Sequence, residues 1–188
     1  VTAHGSMPEV GVNAIYKAAR AVTSMEEHRF DIDAHELLGE SSLNVGTFHG
    51  GLNLNSVPDL AEFTLDIRTI PKHSHKEILA AIRKRIGDET EIESIIDVGG
   101  VHTPHTNEWM QEIYSIMEPL LGERIKPRGA PYFTDAAALT PAYGDPPTVI
   151  LGPGEMHMAH QTDEYCPVQH IEKASEAYLA IARRWLEL

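Results

Sequence analysis

Apolar residues recur at two different periods along the chain, and the change from one to the other outlines the elements. Ile15, Ala18, Ala19, Val22 and Met25 fall at helical spacing after Asn13, a residue suited to cap a helix start. Residues 43–48 read as extended and run into the turn signal Gly50-Gly51. Ala61, Phe63, Leu65 and Ile67 alternate with Glu62, Thr64, Asp66 and Arg68, the period of a half-buried strand with Arg68 on its polar face. Ser74-His75-Lys76-Glu77 has the spacing of a capping box. It opens a helix with Ile78, Leu79, Ile82 and Ile86 on one face and Gly87 as its stop. Residues 91–97, rich in Ile, predict a last strand. With an opening strand ahead of Pro8, the order is β-α-β-β-α-β, a ferredoxin-like arrangement of two helices over one antiparallel sheet.

Residues 98–106 hold Gly and Pro but no periodicity, and they mark a boundary: a domain over 1–98, a linker over 99–106 and a second segment over 107–188. In that segment Asn107 caps a helix with Trp109, Ile113, Ile116, Met117 and Leu120 inward and Gly122 after it. A short helix follows Thr134-Asp135. Residues 147–151 form an unbroken apolar run that predicts a strand buried on both faces. Cys166-Pro167 starts a closing helix with Ile171, Ala174, Tyr178, Ile181 and Trp185 on its core face. One such strand leaves unpaired edges that this stretch cannot satisfy. The fold class expected is therefore α/β (α+β): a ferredoxin-like domain followed by an incomplete α/β segment. The opening at Val1 suggests the same thing, a chain cut from something longer.

Composition narrows the partners. Of the 188 residues 42% are hydrophobic and 23% charged, which excludes a disordered or fibrous chain. The net charge of −13 disfavours nucleic acid and anionic membranes as partners. No apolar run approaches the ~18 residues that span a bilayer. The single cysteine, Cys166, excludes an internal disulfide and a Cys-based zinc finger, and a reducing, cytoplasmic location is expected.

Three segments carry polar chemistry. Ala3-His4-Gly5-Ser6-Met7-Pro8 sits where a strand passes into a helix: either a polar turn, or a histidine projected from the tip of an element. Gly50-Gly51-Leu52-Asn53-Leu54-Asn55-Ser56-Val57-Pro58, with Asp66-Ile67-Arg68 further on, reads as a β-turn and a surface ion pair. It also holds an Asn amide and an Arg fork, the pair of donors that grips a carboxylate. Residues 152–165 follow the apolar run at 147–151, and loops after buried strands are where α/β sheets place ligands. His157-x-x-His160 in that loop is a weak metal signal on spacing alone.

Taken together and in order, these segments resemble the zinc-dependent amidohydrolase and exopeptidase family that includes acetylornithine deacetylase, succinyl-diaminopimelate desuccinylase and glutamate carboxypeptidase. The opening at 3–15 resembles the start of that family's lid, or dimerisation, domain; 50–58 with 66–68 fits its middle. Phe133-Thr134-Asp135-Ala136, Gly152-Pro153-Gly154 and residues 159–165 fit the C-terminal part of its catalytic domain.

The resemblance implies a parent enzyme that hydrolyses the amide bond of an N-acyl amino acid or small peptide with a water held between two zinc ions, cobalt or manganese being substitutes. By the same resemblance His160 is a zinc ligand and His4 reaches a partner's site to stabilise the oxyanion. Asn55 and Arg68 bind the substrate carboxylate, Gly152 lies near that pocket, and Asp135 falls in a family motif. A homodimer through the lid is implied, with the missing N-terminal half as a further partner. The family's other zinc ligands are absent from 1–188, so the chain alone is expected to be inactive. The competing expectation is a non-catalytic dimerisation or small-ligand-binding module. The remaining histidines (28, 35, 49, 73, 75, 102, 105, 157 and 170) are assigned mostly to solvated surface, and Cys166 to packing.

Overall fold

The computed structural model describes residues 1–187, so the segment expected over 107–188 runs one residue beyond them. It divides into two compact units, Val1–Gly100 and Val101–Leu188.

In the first unit, α1 (Ala14–Glu26) begins where Asn13 accepts a hydrogen bond from the Tyr16 amide at 3.2 Å. It buries Ala18, Ala21 and Met25. Strand β2 (Ser42–Gly50) pairs antiparallel with β4 (Ala61–Arg68), from Ser42 opposite Arg68 at one end to Gly50 opposite Ala61 at the other. A register shift between Val45 and Phe48 kinks β2, and Thr64 Oγ1 accepts the Thr47 amide freed there, at 3.0 Å. Two-residue strands β1 (Ala3–His4) and β3 (Ser56–Val57) form a separate antiparallel pair. Helix α2 (His75–Ile86) lays Ile78 and Ile82 against Met25, and Leu43, Val45, Leu65 and Ile67 close this core from the β2–β4 side. The mixed α/β class follows.

Two local expectations change. Residues 91–97 form no strand: Ile92 packs on the core, but nothing pairs with the backbone. In the ferredoxin-like order the last strand leans on the first, and here β1 is only two residues long and engages β3 instead. Ser74 is the N-cap of α2, but its side chain makes no capping bond. Glu77, the other half of the expected box, lines a pocket beside His73.

In the second unit, Asn107 caps α3 (Glu108–Leu121) by accepting from the Trp109 amide at 3.0 Å, and Gly122 ends it in the left-handed conformation. The short helix is α4 (Ala136–Ala142). Helix α5 (Val168–Trp185) packs on α3 through Ala177, which is fully buried, with Ile113, Met117 and Ile181 around it. Small side chains let the two backbones approach, so Ala174 and Ala177 define the buried stripe. Ile171, Tyr178 and Trp185, expected on the core face, are about half exposed. Residues 147–151 are not a strand either. Val149 and Leu151 pack on the α3–α5 core while Ile150 faces solvent, so one side is covered rather than two.

Candidate functional site

His4 and Asn55 come together through backbone pairing. Ala3 stands opposite Val57 and His4 opposite Ser56 in the β1–β3 ladder. One step on, the Gly5 amide donates to the Asn55 carbonyl at 2.7 Å. A Cβ at position 5 would lie 3.0 Å from that carbonyl oxygen, so glycine is what permits the approach. The start of the chain is tied down on both sides: Thr2 Oγ1 donates to Asp59 Oδ2 at 2.9 Å, and the Val12 amide donates to the Val1 carbonyl at 2.9 Å. The Thr2 bond is the main cause holding the Asp59 carboxyl below its ordinary value.

The imidazole of His4 has a defined orientation. Ser6 Oγ lies 2.7 Å from Nδ1, and the Ser6 backbone amide donates to the same nitrogen at 3.2 Å. An amide N–H can only donate, so Nδ1 is the lone-pair edge and the neutral ring carries its proton on Nε2. No described hydrogen bond engages Nε2, and His4 is exposed. The result is an N–H donor held out from a strand end, the form an oxyanion needs. Ser6 was not singled out from the sequence; the His-x-Ser spacing, which lets residue i+2 bond back to the ring, was the available signal.

Asn53 and Asn55 have different work. Asn53 Oδ1 accepts from the Asn55 amide at 3.2 Å and closes a turn on itself, whereas the Asn55 side chain makes no described hydrogen bond. Arg68 does not join them. Loop 51–60 closes at the Gly50–Ala61 end of the β2–β4 hairpin, where the Gly51 amide meets the Leu60 carbonyl at 3.4 Å. Arg68 is at the opposite end, roughly 23 Å away at ~3.3 Å per residue. There its guanidinium donates to Asp66 at 2.7 Å, both side chains about half exposed.

In the second unit His160 sits in an irregular loop in the left-handed region (φ 64°), unusual for a residue with a Cβ. Its amide donates to Glu164 Oε2 at 3.0 Å, and its ring makes no described hydrogen bond. His157 lies 3.4 Å from Glu155 rather than sharing a ligand site with His160. A Cβ at Gly152 would meet nothing within 4 Å, so the backbone there is open to an approaching group. Asp135 is the N-cap residue of α4 and makes no side-chain capping bond. Cys166 Sγ contacts the Pro153 carbonyl at 3.4 Å, a packing position. Among the described residues no group of three or more His, Cys, Asp or Glu is placed to hold a metal ion. A catalytic zinc takes about three protein ligands, so the described residues do not fit a metal centre on their own.

Two histidines assigned to solvent are buried. His28 and His73 each make an edge-on contact with Phe30, with ring centroids 4.6 and 4.7 Å away. They line a pocket of about 440 Å³ with Arg29, Asp31 and Glu77. His73 Nδ1 pairs with Ser41 Oγ at 2.9 Å, whereas neither ring nitrogen of His28 has a described partner. Both rings are held below the usual histidine value. Burial dominates at each; Arg85 and then Arg29 add to it at His28, while at His73 Glu77 opposes it and His75 adds. His75 bridges Thr69 and Asp97, tying the irregular 91–97 segment to the start of α2.

Comparison with known proteins agrees with this architecture. Residues 1–93 match the family described as the peptidase dimerisation domain of the M20 type. The chain is 28% identical to an acetylornithine deacetylase of Myxococcus xanthus, over 95% of this chain and 48% of that protein. It is 25% identical to a probable succinyl-diaminopimelate desuccinylase of Staphylococcus epidermidis, over 98% of this chain and 53% of that one. Among solved structures, aminopeptidase PepT of Bacillus cereus superposes with a TM-score of 0.74 at 25% identity, covering 96% of this chain and 48% of that one. An M20 family metallo-carboxypeptidase of Sulfolobus solfataricus shares the fold, with a TM-score of 0.74 at 17% identity, over 100% of this chain and 56% of that one. The chain thus spans about half the length of the relatives it matches. Residues 1–93 match an M20-type peptidase dimerisation domain, and over nearly its whole length the chain is similar to acetylornithine deacetylases and succinyl-diaminopimelate desuccinylases.

Proposed function

We propose that this chain is the lid and C-terminal catalytic segment of a homodimeric, divalent-metal amidohydrolase acting on N-acyl amino acids or small peptides with a free carboxylate. The observation that carries the reading is the His4–Asn55 junction: a His4 ring whose Nε2 edge is unengaged and an Asn55 side-chain amide with no described hydrogen bond, carried on neighbouring positions of the β1–β3 pair. His4 donates Nε2–H to the oxyanion that forms when the substrate carbonyl becomes tetrahedral, a contact stronger in the transition state than in the ground state. Asn55 and Arg68 hold the substrate carboxylate.

Arg68 is roughly 23 Å of strand away from the loop that carries Asn55, so one carboxylate meets both only if they come from different copies of the chain. Arg68 exchanges its exposed Asp66 partner for the substrate, a small cost because such pairs are well hydrated. Gly152 leaves room for the substrate to pass close to the backbone, and His160 serves as one metal ligand. The other ligands belong to the part of the fold that the relatives have and residues 1–188 do not. The working metal in this reading is a pair of zinc ions, with cobalt or manganese as substitutes, and the compartment is the cytoplasm. Among the described residues no helix is long and apolar enough to cross a membrane.

The test combines sedimentation, metal analysis and turnover. The chain alone is expected to dimerise at micromolar concentration, to hold less than stoichiometric zinc and to leave N-acetyl amino acids intact. The longer protein containing it is expected to hydrolyse them. Stoichiometric zinc with turnover in residues 1–188 would overturn the assignment as a segment, and a monomer would overturn the exchange between copies. A dimer whose longer form turns over nothing would leave the non-catalytic module as the reading.

A further inference from the structure

We infer that His28 is a proton-operated latch: when its ring takes a proton it leaves Phe30 and releases residues 29–40 from the core, while α1, α2 and the β2–β4 hairpin stay folded. Phe30 is the residue of that irregular segment described as packed on the Met25, Ile78 and Ile82 core, and both His28 and His73 make edge-on contacts with it. The backbone bonds described within the segment are local. The Ile32 amide donates to the Phe30 carbonyl at 3.0 Å, and His35 and Gly39 exchange bonds of 2.7 and 2.8 Å, so the segment can move as a piece.

The two imidazoles differ in what a proton meets. His73 Nδ1 has Ser41 Oγ at 2.9 Å, an atom that can accept from the ring in either charge state. The Glu77 carboxylate on α2 favours the charged ring, and His75 on the same helix opposes it. His28 has no described partner at either nitrogen, although the residue is nine-tenths buried. A neutral ring already leaves one N–H unpaired there, and protonation adds a second together with a charge. Arg85 from α2 and Arg29 beside it in sequence both oppose that charge. The carboxylates near it belong to Asp31 and Glu77, which line the same pocket as His28. The way for the charged ring to regain water and a counter-charge therefore leads out through that pocket, away from Phe30. At neutral pH the orphaned imidazole costs stability that a phenylalanine in its place would not; its response to a proton is what it adds.

The test is hydrogen exchange on this chain at about pH 7.5 and about pH 5.5, with rates corrected for the pH dependence of free amides. Protection over 29–40 should fall about five- to tenfold, the most that one histidine opening to its usual ~6.5 supplies across that interval, with α1, α2 and β4 unchanged. His28→Phe keeps a ring beside Phe30 and should flatten the response. His73→Asn, whose amide can still pair with Ser41, should keep it. Arg85→Gln removes one opposing charge and should raise the midpoint of opening by on the order of 0.3 pH units. Protection that falls equally across the first unit, that holds over 29–40, or that falls as far in His28→Phe as in the wild type overturns the inference. Should His28→Phe fail to fold, an unmoved midpoint in Arg85→Gln overturns it.

Discussion

The backbone amide of Ser6 points at Nδ1 of His4 across 3.2 Å, and that contact decides which edge of the imidazole carries the proton. Nitrogen-15 chemical shifts of His4 in this chain at neutral pH should therefore report the Nε2–H tautomer. A predominant Nδ1–H signal would contradict the geometry. Ser6→Ala removes the hydroxyl but keeps the amide, so the tautomer preference should weaken without reversing.

The oxyanion contact proposed for His4 uses the same edge. In the longer protein His4→Ala should lower kcat by about 10²–10³ with little change in KM, the size expected for one lost oxyanion donor. A His4→Ala enzyme that loses affinity while keeping kcat would place this residue in ground-state binding instead.

Gly5→Ala should destabilise the first unit by about 1–3 kcal/mol, the range for forced overpacking, because the new methyl meets the Asn55 carbonyl backbone rather than a yielding side chain. Chemical denaturation of the chain measures it. Gly152→Ala is the control: its methyl has space, and stability should be unchanged.

Much of this was legible from residue order alone, and the failures share a cause. Asn13, Asn107, Gly87 and Gly122 end helices through bonds and backbone angles that each residue makes locally, so the helix limits could be read directly. Residues 91–97 and 147–151 have strand composition, but a strand exists only when a neighbour supplies the other half of its hydrogen bonds, and neighbours are not encoded in a local run. On α5, Ala174 and Ile181 were read correctly onto the core face, but apolar size also pointed to Ile171, Tyr178 and Trp185, whereas close approach to α3 uses the small Ala177. At the site, His4, Asn55 and Arg68 were legible as residue types. Which of them meet was not, since that depends on the register of β1 with β3 and of β2 with β4.

Acid should loosen the first unit. The folded-state values of His28 and His73 lie below the usual ~6.5, so over that window the unfolded chain binds more protons. Their contribution is complete above about pH 6.5 and is lost as pH falls toward the folded values. The melting temperature should thus be lower at about pH 5.5 than at about pH 7.5, with hydrogen exchange rising first over 28–41, the stretch bounded by His28 and by the Ser41–His73 bond. His28→Phe should shrink the difference; an unaltered pH response in that variant would remove His28 from the account.

Core packing of the second unit gives a further check. Ile113 is almost fully buried beside Ala177, so Ile113→Ala should cost about 2–5 kcal/mol by denaturation.

The length of the β2–β4 hairpin has a genetic corollary. If His4, which pairs with the loop at one end of this hairpin, and Arg68, at its other end, serve different pockets, a gene damaged at His4 and another damaged at Arg68 are each inactive alone, yet their products can rescue one another when they assemble together. One intact pocket forms in each mixed pair, so random pairing restores about a quarter of normal capacity. Organisms carrying two faulty copies of such a gene would then differ in phenotype according to which ends of the hairpin were hit.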